Sequence, residues 1–286
     1  GLLYCVNKDM NNELHPGLCV EELPNYCREF YNLYKENASE ILINYIQSYG
    51  MNGNWNQPAY IALSLDDNYN IVENKNFIKE IIEKNETFDK SKVERLLKDF
   101  VIKSNYEFFY NNHKPFYDKI IKSYKEAMNK YNVFDGSFII NFYGYKVGNM
   151  LIKLYNFTSG SMGIVIGDNQ YYIQRVHNIG KDENNFIFKP KLSVLFHEFS
   201  HPYINPLVEK YFSNIDCSDL YQEIIQNDKK SIISTVYTTL NSKDAYKILM
   251  EYIVRAVTIY FESKYESKEV IDEKIKTQYD FGFIYI

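Results

Sequence analysis

The stretch PKLSVLFHEFSHPYINPL, residues 190–207, carries the clearest structural signal in the chain. Proline is favoured at the first position of a helix, where its missing N–H costs nothing, so Pro190 is expected to open a helix over Lys191 to His201. Apolar residues lie on several sides of this helix, as is typical of a central, buried element: Leu192, Val194, Leu195, Phe196 and Phe199. Pro202 disfavours helical geometry at His201, so the helix is expected to end or kink there.

Two histidines stand four residues apart on this predicted helix, at His197 and His201. Residues at this spacing share one face of a helix, so both imidazoles can bind one zinc ion. Glu198 is placed to reach a water on that ion, and its predicted role is that of general base. The alternative is a pair of histidines hydrogen-bonded in the core with a surface glutamate between them.

A catalytic zinc usually has three protein ligands and a water, so one ligand remains to be identified. No histidine follows His201, which leaves His177 upstream or one of the carboxylates downstream: Glu209, Asp216, Asp219, Glu223 and Glu251. Glu251 interrupts the apolar run Ile248–Val254, where a lone carboxylate needs a neutralising partner. That partner is either the metal or Arg255, one helical turn further on.

The segment Val194–His201 resembles the active-site helix of the zincin metallopeptidases, and the longer run to Leu207 is similar to a bacterial family of unknown function that carries an HEFSH helix. Position 204 is isoleucine, which excludes the metzincin extension. The resemblance implies a Zn²⁺-dependent hydrolase that cleaves a peptide or protein substrate with metal-activated water and Glu198 as general base. The alternative is a catalytically inactive zinc-binding module, or a cell-surface binding or structural module, that retains the helix.

The resemblance also bears on the remaining site residues. In gluzincins a glutamate on a later helix completes the zinc site, which favours Glu251 over Glu209, Glu223 and His177. Zincins hold their substrate along an edge strand upstream of the active helix, and the runs Met162 to Ile166 and Tyr171 to Val176 occupy that position in the sequence. Tyr203 and His177 are nearby candidates for the group that stabilises the oxyanion, but 28 tyrosines leave that choice open.

Composition excludes several classes of partner. The formal net charge of −5 gives no cationic field for a phosphate backbone, so nucleic acid is not an expected partner. No apolar run approaches the roughly 20 residues that span a bilayer, since Glu251 and Arg255 interrupt the nearest candidate. Gly1 in place of methionine indicates a trimmed chain, which is compatible with a secreted or cell-surface protein that has lost its export signal and equally with a cytoplasmic one.

The four cysteines do not form a CxxC pair, so a cysteine zinc site is not expected. They are Cys5, Cys19, Cys27 and Cys217. Two disulfides would suit an exported protein, and free buried thiols fit equally well.

The first part of the chain has mainly helical periodicity. The spacing of apolar residues predicts two helices between Glu21 and Tyr49, and helical segments from about Asn74 to Tyr131 that are interrupted near Pro115. Between them, Met51 to Pro58 is predicted as a loop and Tyr60 to Leu65 as a short strand or buried stretch.

The pattern changes beyond residue 135, where short β-prone runs are separated by glycine and asparagine. They are Phe138 to Tyr143, Met150 to Tyr155, Met162 to Ile166 and Tyr171 to Val176, with a tight hairpin at Gly167-Asp168-Asn169. Helices then follow to about Lys264, and Phe281 to Ile286 is a candidate final strand. The predicted fold is α+β, mainly helical with a small antiparallel sheet preceding the zincin-like helix. We expect a single metallopeptidase-like domain, residues 1–286, with a helical lobe (1–134) and a second lobe (135–286) that holds the sheet and the active-site helices.

Overall fold

A computed structural model of the chain describes residues 2, 5, 25–50, 56–83, 88–129, 136–155, 161–175, 192–216, 218–219, 222, 246–283 and 286. The chain divides into two compact units. The first comprises Gly1–Lys130 and Gly148–Pro190, and the second comprises Tyr131–Val147 and Lys191–Ile286. The arrangement as two lobes of a single domain stays a prediction.

The first unit is mainly helical. Its helices are α1 (Asn25–Asn37), α2 (Glu40–Gly50), α3 (Asn56–Leu63), α4 (Lys75–Phe77, continued by a π-helical turn at Ile78–Ile82), α5 (Lys90–Lys103) and α6 (Tyr106–Asn129). The two helices predicted before residue 50 are confirmed. Both Cys5 and Cys27 are buried; Cys19 and Cys217 lie outside the described residues, so the state of the four thiols stays open.

Helix α3 shows that the predicted loop extended too far and that, of the two alternatives predicted for Tyr60 to Leu65, a short strand or a buried stretch, the strand was wrong. Pro58 lies in the first turn of this helix, where the N–H that proline lacks would have no intrahelical partner. Tyr60 and Ile61 pack against a core cluster that contains Phe77. Proline here therefore marks a helix start and not a loop.

Helix α6 also passes through its proline without a break, contrary to the predicted interruption at Pro115. Its buried residues recur along one face: Phe109, Phe116, Ile120, Tyr124 and Met128. A proline inside a helix costs about 3 kcal/mol, and burying five large side chains outweighs that cost.

Three strands form the sheet of the first unit: β1 (Asn149–Tyr155), β2 (Met162–Ile166) and β3 (Asn169–Arg175). Their existence and the hairpin between β2 and β3 are confirmed. The order is β1-β3-β2, with β1 parallel and β2 antiparallel to β3. The sheet is therefore mixed, and the prediction of a wholly antiparallel sheet was wrong. Because β3 is paired on both sides, the described part of the run Tyr171 to Val176, which ends at Arg175, is not an edge strand.

The parallel pairing of β1 with β3 follows from a close backbone approach. Gly148 has a φ of +60°, and a Cβ at this position would overlap the carbonyl oxygen of Asp168. The N–H of Asn149 donates to that same oxygen at 2.7 Å. Strand β1 therefore begins beside the start of β3, and the two strands run in the same direction.

The second unit contains helices α7 (Ser137–Tyr143), α8 (Leu192–Phe212), α9 (Tyr246–Glu262) and α10 (Lys268–Asp280). The strand predicted at Phe138 to Tyr143 was wrong, because these residues form α7. Gly136 and Gly144 bound that helix with left-handed backbone angles, and Phe138 packs against Phe196 and Phe261. The predicted final strand is also wrong where it is described, since Phe281 and Gly282 form a turn.

Helices α8 and α9 pack side by side and run in opposite directions. Phe196 contacts Phe261 at one end of the pair, while Ile204 and Val208 share a core cluster with Val254 further along. This pairing brings the middle of α9 beside the histidines of α8. None of the helices in the described part of the chain is long and apolar enough to cross a membrane.

An ion pair between Lys274 and Glu262 joins α10 to the end of α9. Glu262 is only 5% exposed, and burial raises the pKa of its carboxyl although the Lys274 ammonium acts in the opposite direction. Because the folded-state pKa lies above the unfolded value, the folded chain binds this proton more tightly. The stability from Glu262 is therefore present at low pH and lost as the pH rises through the folded pKa.

Lys274→Met is expected to lower the free energy of unfolding by about 3 kcal/mol at pH 7, the low end of the cost of leaving a buried carboxylate uncompensated, because Lys274 itself is one-third exposed. This loss should shrink near pH 4, where the Glu262 carboxyl is largely protonated. Urea unfolding at both pH values measures the effect. Lys276→Met, on the exposed face of the same helix, is the control. An equal loss of stability for Lys274→Met at both pH values would contradict the prediction.

Candidate metal centre

Helix α8 places the two histidines of the motif against each other. The Nε2 atoms of His197 and His201 are 3.0 Å apart. Of the two outcomes predicted at His201, an end or a kink, the end was wrong, because the helix continues through Pro202 to Phe212. Three residues beyond the proline, Tyr203, Ile204 and Val208, are deeply buried, and this burial offsets the lost backbone hydrogen bond.

Helix α9 brings Glu251 to the same point. Its Oε2 lies 3.7 Å from Nε2 of His197, and its Oε1 lies 3.4 Å from Nε2 of His201. The three side chains form a group that could hold a metal ion. A zinc ion about 2.1 Å from each ligand atom keeps tetrahedral ligands roughly 3.4 Å apart. The Oε1–His201 separation of 3.4 Å matches this spacing, the two imidazole nitrogens are closer at 3.0 Å, and the ligand atoms of all three residues lie within 4.8 Å of one another.

The other proposed third ligands do not join this group among the described residues. Glu209 is exposed on α8, and Asp216 and Asp219 are exposed beyond its end. The Asp216 carboxylate accepts a hydrogen bond from the Ser218 N–H. His177 and Glu223 lie outside the described residues.

The pairing of Glu251 with Arg255, which the sequence offered as the alternative to metal binding, is also present. Nε of Arg255 lies 3.4 Å from Oε2 of Glu251. The two interpretations are compatible, because Oε1 of the same carboxylate faces His201. One carboxylate therefore contacts both a guanidinium group and the two imidazoles.

Electrostatics favours the neutral form of His197. Burial lowers the pKa of His197 to about 3, and the neighbouring His201 and Arg255 act in the same direction. The imidazole is therefore neutral at pH 7, the form whose ring nitrogen has a lone pair to offer a metal.

Two further side chains at the centre were missed by the sequence analysis. Oδ1 of Asn205 lies 3.1 Å from Nδ1 of His201, and Gln278 accepts a hydrogen bond from Nη1 of Arg255 at 2.7 Å. A partner such as Asn205 fixes the ring orientation of a metal-binding histidine, whereas Gln278 acts on the arginine that faces Glu251. The i,i+4 spacing from His201 could have indicated Asn205, but no local pattern identifies Gln278.

Glu198 is half-buried on α8, next to His197. Tyr203, a candidate oxyanion donor, lies in the core of the second unit. Its ring stacks on Tyr143 with centroids 4.2 Å apart, and its hydroxyl accepts a hydrogen bond from the Val147 N–H. These contacts give Tyr203 a packing role.

A family model described as Domain of unknown function (DUF4932) matches residues 42–286. The matched range includes α8, α9 and α10, and so every residue of the candidate centre. No curated protein and no solved structure matches the chain.

Proposed function

The chain belongs to the family of this domain of unknown function (DUF4932), and from the chemistry of its candidate centre we propose that it is a zinc-dependent hydrolase, specifically a gluzincin-like peptidase. His197, His201 and Glu251 are the proposed metal ligands. Glu198 is the proposed general base.

The convergence of three ligand atoms from two helices carries this proposal. Two histidines and a glutamate are an established ligand set for catalytic zinc, and they leave a fourth position for water. When bound, the ion would polarise the scissile carbonyl and lower the pKa of water from 15.7 to about 7. The half-buried position of the three side chains supports a centre that a substrate can reach.

Glu198 supplies the proton transfer in this proposal. A carboxylate beside the first histidine accepts a proton from the attacking water and returns it to the leaving amine. Asn205 orients the His201 ring from the opposite side, since the Nδ1 that faces its oxygen donates and leaves Nε2 for the metal. The choice of a peptide bond as substrate rests on the resemblance of the helix to zincins.

Metal analysis and a cleavage assay on the same preparation test the proposal. We expect about one zinc per chain, in keeping with a single centre of three protein ligands, and cleavage of a mixed peptide library that stops with a chelator and returns with added zinc. A folded protein that binds no zinc would overturn the proposal. Bound zinc without cleavage of any peptide would favour the inactive binding module instead.

A further inference from the structure

Arg255 is held on three sides within the second unit. Its Nε lies 3.4 Å from Oε2 of Glu251, and its Nη1 donates to Oε1 of Gln278 at 2.7 Å. The guanidinium carbon lies 4.0 Å from the centroid of the Phe283 ring. Gln278 belongs to α10, and Phe283 follows the turn after that helix, so the C-terminal segment determines where the charge of Arg255 lies.

The two oxygens of Glu251 have different surroundings. Arg255 lies beside Oε2, which is also 3.7 Å from Nε2 of His197, whereas Oε1 faces Nε2 of His201 at 3.4 Å. A carboxylate can bind a cation through one oxygen or through both. A guanidinium that engages Oε2 favours ligation through Oε1 alone. When Glu251 binds through one oxygen, the protein supplies three ligand atoms, and the fourth position of a tetrahedral ion stays available for water.

The ion pair with Glu251 does not by itself fix the arginine. Nε of Arg255 is buried and within ion-pair distance of the carboxylate, but it makes no hydrogen bond with it. A long side chain loses much rotamer freedom when it is held in one position. The hydrogen bond to Gln278 and the face of Phe283 supply the directional contacts that hold it.

From these contacts we propose that Gln278 is a positioning residue: it fixes Arg255, which engages one oxygen of Glu251 and leaves the other for the metal. This inference rests on the proposed metal centre. It assigns a role in that centre to α10, which contributes none of the three ligands.

The test compares the full-length protein with Gln278→Leu, which keeps the size of the side chain but removes the acceptor. Zinc affinity is measured by competition with a chelator, and the zinc–oxygen coordination number by X-ray absorption. We expect affinity to fall about tenfold and the coordination number to rise as Glu251 binds through both oxygens. For peptide cleavage, kcat should fall more than KM rises.

Gln278→Glu keeps an oxygen acceptor for Arg255 and should restore the coordination and affinity of the unaltered protein. Thr277→Val is the matched control, because it removes a hydroxyl that donates to the Glu273 carbonyl in the same helix without touching Arg255. If Gln278→Leu folds poorly, Arg255→Lys provides the same test, since it keeps the charge but loses the Nη1 donor.

The outcomes separate the two proposals. If the unaltered protein binds zinc and cleaves peptides while Gln278→Leu keeps its affinity and coordination number, the positioning role is overturned and the metallopeptidase proposal stands. If the unaltered protein binds no zinc, both are overturned. If Thr277→Val changes the centre as much as Gln278→Leu does, the effect is a general one of α10, and the role of Gln278 is rejected.

Discussion

Glu198→Gln is expected to reduce kcat for peptide cleavage by about 10²- to 10⁴-fold, the range that a positioned general base contributes. The amide cannot accept the proton of the attacking water, so the chemical step slows. Zinc content should stay the same, because Glu198 is not among the side chains whose ligand atoms converge. Steady-state kinetics and metal analysis on one preparation measure both quantities.

Glu209→Gln is the matched control for that experiment, since it makes the same chemical change at an exposed position of the same helix. It should leave both kcat and zinc content unaltered. Full activity in Glu198→Gln would remove the proposed base. A loss of zinc in this variant would instead give Glu198 a place in the metal site that the geometry does not assign to it.

Glu251→Gln is expected to weaken zinc binding by more than about 100-fold, because loss of a residue outside the ligand set already costs 10- to 100-fold. The neutral amide is a poorer partner for a cation than the carboxylate it replaces. Competition with a chelator measures the affinity, and circular dichroism of the metal-free protein shows whether the fold is kept.

Comparison of Glu251→Gln with Glu209→Gln decides between these two candidate third ligands. Glu209→Gln should retain the affinity of the unaltered protein, because its side chain is exposed and outside the group. The assignment of Glu251 fails if its variant binds zinc normally, and it fails equally if Glu209→Gln is the variant that loses the metal.

The histidine pair of the candidate site was predictable because its spacing is local, whereas the choice of Glu251 as its partner also needed the resemblance to gluzincins. The i,i+4 spacing of His197 and His201 is enough to place both on one face of a helix. Glu251 could be identified because a carboxylate inside an apolar run needs a partner. Gln278 could not be, since its contact with Arg255 depends on how α10 packs, which no local pattern encodes.

Proline accounts for several of the wrong predictions of secondary structure. Pro58, Pro115 and Pro202 all lie within helices, although Pro58 was the last residue of a predicted loop, Pro115 predicted an interruption and Pro202 an end or a kink. At Pro115 and Pro202 the burial of neighbouring side chains outweighs the local penalty, and this energy comes from tertiary packing. The direction of β1 was predicted wrongly for a related reason. The alternation of apolar and polar residues identifies β1 as a strand, but its parallel pairing with β3 depends on the backbone contact at Gly148.

The antiparallel pair of α8 and α9 gives the proposed centre a second consequence. Residues 213–245 separate the two helices in the chain. An ion bound to both helices would therefore hold together two segments that are distant in sequence, and it could be removed by a chelator. A ligand that binds only the folded state adds stability in proportion to the logarithm of its free concentration. A bound ion would thereby lengthen the survival of the second unit against proteases, independently of any substrate that it cleaves.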